Sequence, residues 1–248
     1  MKNLPYALNK IPPAVFLLLA AALLTACGGG RATREPVTPK GETANSAADA
    51  TRGAGATPAE NVPKIVAFGD SLTAGYGLSP RESYPALLQK MLDEDGFRYE
   101  VVNAGESGGT SAGGVRRIDW ALDAGGVRFL VLELGANDFL RGQPVSETRK
   151  NLAQIIERAQ SRNVHVLLAG MLTTTESGRG YEVEIRDAYR SLADEYKVTL
   201  IPFFLEGVAG IDRLNQDDRI HPNAEGTRIV AENVYRHLKP LLEQEGKK

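Results

Sequence analysis

The sequence predicts an α/β protein, a parallel sheet held between two layers of helices. Three observations carry that prediction. From residue 63 onward, short apolar runs alternate with amphipathic stretches. Several runs are apolar nearly throughout, as strands covered on both faces should be. Strand, helix, strand, repeated, calls for right-handed crossovers and hence a parallel sheet.

Strands are expected at 64–69 (KIVAFG), 98–103 (RYEVVN), 128–134 (RFLVLEL), 163–169 (NVHVLLA) and 198–202 (VTLIP). Helices fit between them. Tyr84, Leu87, Leu88, Met91 and Leu92 fall at i, i+3, i+4, i+7 and i+8, one apolar stripe. Leu152, Ile155, Ile156 and Ala159 repeat the spacing, with Ser146 placed as an N-cap. Ile185, Ala188, Tyr189, Leu192 and Tyr196 form a third stripe. A last helix carries Ile229, Val230, Val234, Leu238 and Leu241 after His221-Pro222, where proline suits the first turn.

The chain has 248 residues, enough for one α/β domain with appendages. Its net charge is −2 and no basic stripe appears, so nucleic acid is not an expected partner. Cys27 is the single cysteine, which excludes an internal disulfide and a cysteine cluster for zinc. No G-x-x-x-x-G-K-[ST], G-x-G-x-x-G or H-E-x-x-H occurs, so no nucleotide, cofactor or metal is expected.

The first residues read as an export signal. Lys2 and Lys10 precede an apolar run from Ala14 to Leu24, followed by Leu24-Thr25-Ala26-Cys27. The run is short of the about 20 apolar residues that span a bilayer. The ending resembles the lipobox of bacterial lipoproteins, which implies cleavage before Cys27 and lipidation of its thiol. Residues 1–26 are thus expected to be a lipoprotein signal peptide. Residues 27–62 are expected to be the lipidated cysteine and a disordered tether, because they hold too few large apolar side chains to offset their ordering entropy. The folded domain is expected over 63–248.

In folds of this class, loops at the carboxyl ends of the strands build the site. Reactive-looking residues should therefore follow strands, and they do. Ser71 follows the first strand, Gly108 the second and Asn137 the third. Asp218 and His221 lie beyond the fifth, before the last helix. A serine needs a base to act as a nucleophile, and His221 can take its proton. Asp218, three residues earlier, can hold the other ring nitrogen. An oxyanion wants fixed donors, and the backbone N–H groups of Ser71 and Gly108 and the Asn137 amide are of that kind. Asp70 is read as a cap on the following turn, and Asp138 as structural. His165 is expected inside a strand as a core residue, and His237 exposed on the last helix.

Gly69-Asp70-Ser71-Leu72, Gly108, Gly135-Ala136-Asn137-Asp138 and Asp218-Arg219-Ile220-His221 resemble, in order, the four blocks of the SGNH (GDSL) hydrolases. The resemblance spans roughly residues 63 to 242, and implies a flavodoxin-like α/β/α sandwich with five parallel strands. It also implies a Ser71, His221, Asp218 triad and an oxyanion hole of Ser71, Gly108 and Asn137. Val101-Val102-Asn103-Ala104, Leu132-Glu133-Leu134-Gly135, Leu140-Arg141-Gly142 and Pro202-Phe203-Phe204 look like the acyl-CoA thioesterase I, lysophospholipase and arylesterase branch. The loop from Met171 to Tyr181 resembles that branch's substrate-binding segment only loosely.

The expected activity is hydrolysis of acyl esters and thioesters, including aryl esters and lysophospholipids, through an acyl-enzyme on Ser71. A carbohydrate or peptidoglycan O-acetylesterase is the alternative enzyme reading, and a catalytically inactive binding lipoprotein the alternative of another class. The expected state is a monomer tethered to a membrane by its lipid, facing the periplasm. Gly28 after Cys27 lacks the aspartate of inner-membrane retention and favours the outer membrane.

Overall fold

The structure is a computed structural model that describes residues 62–172 and 179–246. The signal, Cys27 and tether readings therefore lie outside the described residues, as does most of the loop after the fourth strand. Five strands form one parallel sheet: β1 (Lys64–Gly69), β2 (Glu100–Gly105), β3 (Val127–Glu133), β4 (His165–Ala169) and β5 (Thr199–Ile201). Their order in space is β2-β1-β3-β4-β5. The expected α/β sandwich is therefore present.

The helices are α1 (Ser71–Ala74), α2 (Tyr84–Glu94), α3 (Ser111–Leu122), α4 (Ala136–Leu140), α5 (Val145–Ser161), α6 (Arg179–Tyr196) and α7 (Ala224–Glu245). The chain moves outward from β1 to β2, then returns to build β3, β4 and β5 on the other side. Right-handed crossovers in opposite directions place their helices on opposite faces. So α3, α5 and α6 pack side by side in one layer, and α2 and α7 pair in the other. The stripe of α2 buries Tyr84, Leu88 and Leu92, and that of α6 buries Ile185, Tyr189 and Leu192.

Register sets the site. Gly69 lies opposite Gly105 on β2 and opposite Glu133 on β3, so the three strands end at one level. Their following loops leave the same edge of the sheet, at the point where strand order reverses. A crevice opens there in doubly wound folds.

Local departures from the expected elements have local causes. β2 runs two residues further than expected, to Gly105, because this half-exposed edge strand carries polar Asn103 within the ladder. β4 starts at His165 because Asn163 turns the chain at φ 58°. Ser146 lies inside α5, whose N-cap is Pro144. α7 starts after Pro222, capped by the Asn223 side chain, which accepts from Glu225 and Gly226 N–H. His165 is exposed at the start of β4, its ring stacked on Phe129 at 5.3 Å. His237 is half-buried against the Asn233 carbonyl at 2.8 Å. α3 has no counterpart in the expected elements: Gly113 and Gly114 weaken its helical pattern. A Cβ on Gly114 would stand 2.4 Å from Leu134 Cδ1, so glycine there lets α3 sit close to the sheet.

Candidate active site

The turn after β1 presents Ser71. Asp70 caps α1, its Oδ1 accepting the Leu72 N–H at 3.0 Å. Ser71 thereby becomes the first residue of a helical turn, where backbone N–H groups have no intrahelical acceptor.

The loop before α7 brings His221 and Asp218 up to Ser71. His221 Nε2 lies 2.8 Å from Ser71 Oγ, and His221 Nδ1 lies 2.6 Å from Asp218 Oδ2. Asp218 Oδ1 also accepts the backbone N–H groups of Ile220 at 2.9 Å and His221 at 3.0 Å. Desolvation works to raise the Asp218 carboxyl, but these donors and the His221 ring outweigh it and hold it down at about 2. Asp218 is therefore a carboxylate at any ordinary pH. It favours the tautomer with the proton on Nδ1, which leaves Nε2 free to accept from Ser71.

Gly108 and Asn137 complete the ring. Both line a pocket of about 230 Å³ together with Ser71, His221, Tyr76 and Leu140. Gly108 sits at φ 78°, a conformation other residues adopt only with strain. Asn137 donates one amide hydrogen to Asp70 Oδ2 at 3.0 Å. Asp138 takes no part in the ring: buried, it accepts from Ser111 N–H at 2.8 Å and Ser111 Oγ at 2.6 Å at the start of α3.

Leu72, Ala136, Leu140 and Ile220 line this pocket and also a second one of about 170 Å³. The second pocket continues as an apolar trough past Phe139, Met171, Phe203, Leu205 and Ala209. It can take a flexible hydrocarbon chain beside the serine.

Four contributors escaped the sequence reading. Gln216 donates from Nε2 to the carbonyls of Tyr76 at 2.7 Å and Pro222 at 3.0 Å, stapling the histidine loop to the turn after β1. The Tyr76 ring lies 4.7 Å from the His221 ring. Arg141 donates to the Gly108 carbonyl at 3.0 Å. Glu133, wholly buried, accepts from Asp70 N–H at 3.2 Å and Thr73 Oγ1 at 2.7 Å. Only Glu133 left a signal: a charge inside an apolar strand covered on both faces. Among the described residues, no group of three or more His, Cys, Asp and Glu could hold a metal ion.

Fold and site define a class, the α/β/α proteins that carry a serine, a histidine and an aspartate on strand-end loops. Residues 67–229 match the GDSL-like lipase/acylhydrolase family, and the chain belongs to it. It is 40% identical over 178 residues to esterase TesA of Pseudomonas aeruginosa, covering 72% of this chain and 89% of the relative. It is 36% identical over 178 residues to thioesterase 1/protease 1/lysophospholipase L1 of Escherichia coli (strain K12), covering 72% and 84%. A crystal structure of TesA superposes with a TM-score of 0.70 at 39% identity, covering 72% of this chain and 99% of that one.

Proposed function

We propose that the chain is a serine esterase and thioesterase in which Ser71, His221 and Asp218 form the catalytic triad. Ser71 Oγ attacks the acyl carbon while His221 Nε2 takes its proton. The oxyanion that forms is met by Ser71 N–H, Gly108 N–H and the Asn137 amide. The C–O or C–S bond to the leaving group breaks as His221 returns the proton to it. Water, deprotonated by His221, then attacks the acyl-Ser71 ester, and Ser71 leaves carrying the proton.

One observation carries this reading: a Ser71–His221–Asp218 relay of 2.8 Å and 2.6 Å opens onto an apolar trough. The trough favours medium acyl chains, and hence esters, thioesters and lysophospholipids, over acetylated glycans. The names of the two relatives agree with that substrate class. Hydrolysis of p-nitrophenyl acetate and octanoate by wild type and Ser71→Ala tests it. Octanoate is expected to be preferred and Ser71→Ala to be inactive. A strong preference for acetate with activity on acetylated glycans overturns the lipid-ester reading in favour of an O-acetylesterase. Failure of a fluorophosphonate probe to label Ser71 overturns the enzymatic reading in favour of a binding protein.

For location, the Leu24-Thr25-Ala26-Cys27 ending after a short apolar run supports a lipid anchor on Cys27, and Gly28 after it favours the outer membrane, with the domain facing the periplasm. Metabolic labelling with palmitate, lost in Cys27→Ala, is the expected outcome. Labelling that persists in that variant, or its absence from wild type, overturns the anchor.

A further inference from the structure

Beneath Ser71 the fold buries two carboxyl groups that the triad does not use. Asp70 is 1% exposed and Glu133 0%. Asp70 engages both oxygens: Oδ1 accepts from Leu72 N–H and Oδ2 from the Asn137 amide, each at 3.0 Å. Glu133 uses one: Oε2 accepts from Asp70 N–H and Thr73 Oγ1, while Oε1 meets no hydrogen-bond partner among the described residues. Glu133 Oε2 thus bonds the backbone of the residue whose side chain holds Asn137, and the Asp70 charge disfavours a second charge on Glu133.

Two neighbouring carboxyls in a dry site do not readily both ionise. The hydrogen bonds decide which keeps the proton. A bare, fully buried carboxylate oxygen is costly, so Oε1 of Glu133 is where a proton belongs. Asp70, with a donor on each oxygen, is where the charge belongs.

We infer that Asp70 and Glu133 act as a positioning pair for Asn137: protonated Glu133 lets Asp70 stay anionic, and Asp70 holds one hydrogen of the Asn137 amide so that the other points at the acyl oxygen above Ser71. This inference rests on the hydrolytic reading given above. An amide NH₂ carries its two hydrogens in one plane, so fixing one aims the other. A proton on Asp70 Oδ2 would set O–H against N–H and free the amide. Burial, the largest influence, pushes the Asp70 carboxyl up to about 6 against the Leu72 and Asn137 hydrogen bonds and the His221 charge. Burial and the neighbouring Asp70 push Glu133 well above the usual carboxylate range. The other titratable groups turned toward the pair are Arg117 from α3, Tyr84 from α2, Tyr189 from α6 and His221. Arginine and buried tyrosine keep their protons between about pH 5 and 8. On acidification, therefore, Asp70 gains a proton that frees the Asn137 amide.

The test is a double-mutant cycle on the full chain, read as the rate of Ser71 labelling by a fluorophosphonate. Asp70→Asn keeps an acceptor for Leu72 N–H and an adequate cap, but it sets a second NH₂ against Asn137. The rate is expected to fall about 100-fold in Asp70→Asn and in Asn137→Ala, the scale of one lost oxyanion donor. The double variant is expected within about threefold of Asn137→Ala alone, since coupled residues are not additive. Independent, multiplied losses overturn the inference. The logarithm of the rate should fall more steeply on the acid side in wild type than in Asp70→Asn, which has no carboxyl to protonate there. Equal slopes overturn it. Glu133→Gln, whose amide imitates the protonated acid, should keep the wild-type slope. A shallower slope than wild type in Glu133→Gln overturns it too, and does so even if Asp70→Asn fails to fold. If Ser71→Ala retains ester hydrolysis, the hydrolytic reading is at fault. If Ser71→Ala is inactive and the cycle is additive, the pair alone is at fault.

Discussion

Arg141 donates from Nη2 to the Gly108 carbonyl oxygen at 3.0 Å, joining the loop after β3 to the loop after β2. The contact fixes where Gly108 sits, and with it one of the three proposed oxyanion donors. Arg141 itself is exposed, so its weight falls on catalysis rather than on the fold.

Arg141→Ala should therefore lower kcat about tenfold, less than the about 10²–10³ of losing a donor outright. KM should change little. The unfolding midpoint should stay near wild type, as surface changes usually fall within about 0.5 kcal/mol. Steady-state kinetics on p-nitrophenyl octanoate with a thermal melt checks all three.

Asp218→Asn should cost about 10²–10⁴ in kcat, because the imidazole loses the partner that sets its tautomer. Asp218 titrates at about 2, below an unfolded aspartate near 3.9. Its contribution to stability is thus complete above about pH 4 and fades only as pH falls toward 2. Activity lost between pH 7 and 5 must come from other groups, which a pH profile of wild type beside Asp218→Asn will show.

Glu133 and Asp70 have the opposite linkage. Their folded-state carboxyls are raised, so the stability they contribute is complete below the unfolded values near 4 and is lost as pH rises through the folded ones. Glu133→Gln cannot ionise. Its melting temperature should gain on wild type as pH rises above about 5. Parallel melting curves across that range would count against a buried, titrating Glu133.

Gly69→Ala should destabilise strongly. A Cβ there would stand 1.9 Å from Thr73 Oγ1 and 2.4 Å from Glu133 Oε2. Overpacking of this kind costs about 1–3 kcal/mol, or about 2–12 °C in the melting midpoint of a domain this size. Calorimetry is the check.

Ala209→Phe should shorten the preferred acyl chain. Ala209 lines the apolar trough away from Ser71. Each buried methylene is worth about 0.8 kcal/mol, roughly fourfold in kcat/KM. The octanoate-to-acetate ratio should fall at least tenfold, with acetate turnover kept.

Much of this was legible in the sequence. Ile65 to Phe68 and Phe129 to Leu132 read as strands because both faces of the sheet are covered, leaving little polarity to blur the signal. Ser71, Gly108, Asn137, Asp218 and His221 stood out because each falls on a loop after a strand or before the last helix. α3 did not stand out, because its contact with the sheet is made by glycine and an exposed Trp120 interrupts its stripe. The contacts of Arg141 and Gln216 were hidden for another reason. Both act through backbone carbonyls, and a carbonyl acceptor has no residue type to recognise. The Glu133 charge within β3 was visible, but its meaning needed the register that sets it opposite Gly69.

Ser71 and His221 are 150 residues apart along the chain. During synthesis the serine emerges 150 residues before the imidazole proposed to activate it. A nascent or clipped chain that ends between Asn137 and His221 would hold the serine and the proposed donors around it, with no imidazole to take the serine's proton. On this reading hydrolytic power arrives in one step, when His221 docks on Ser71.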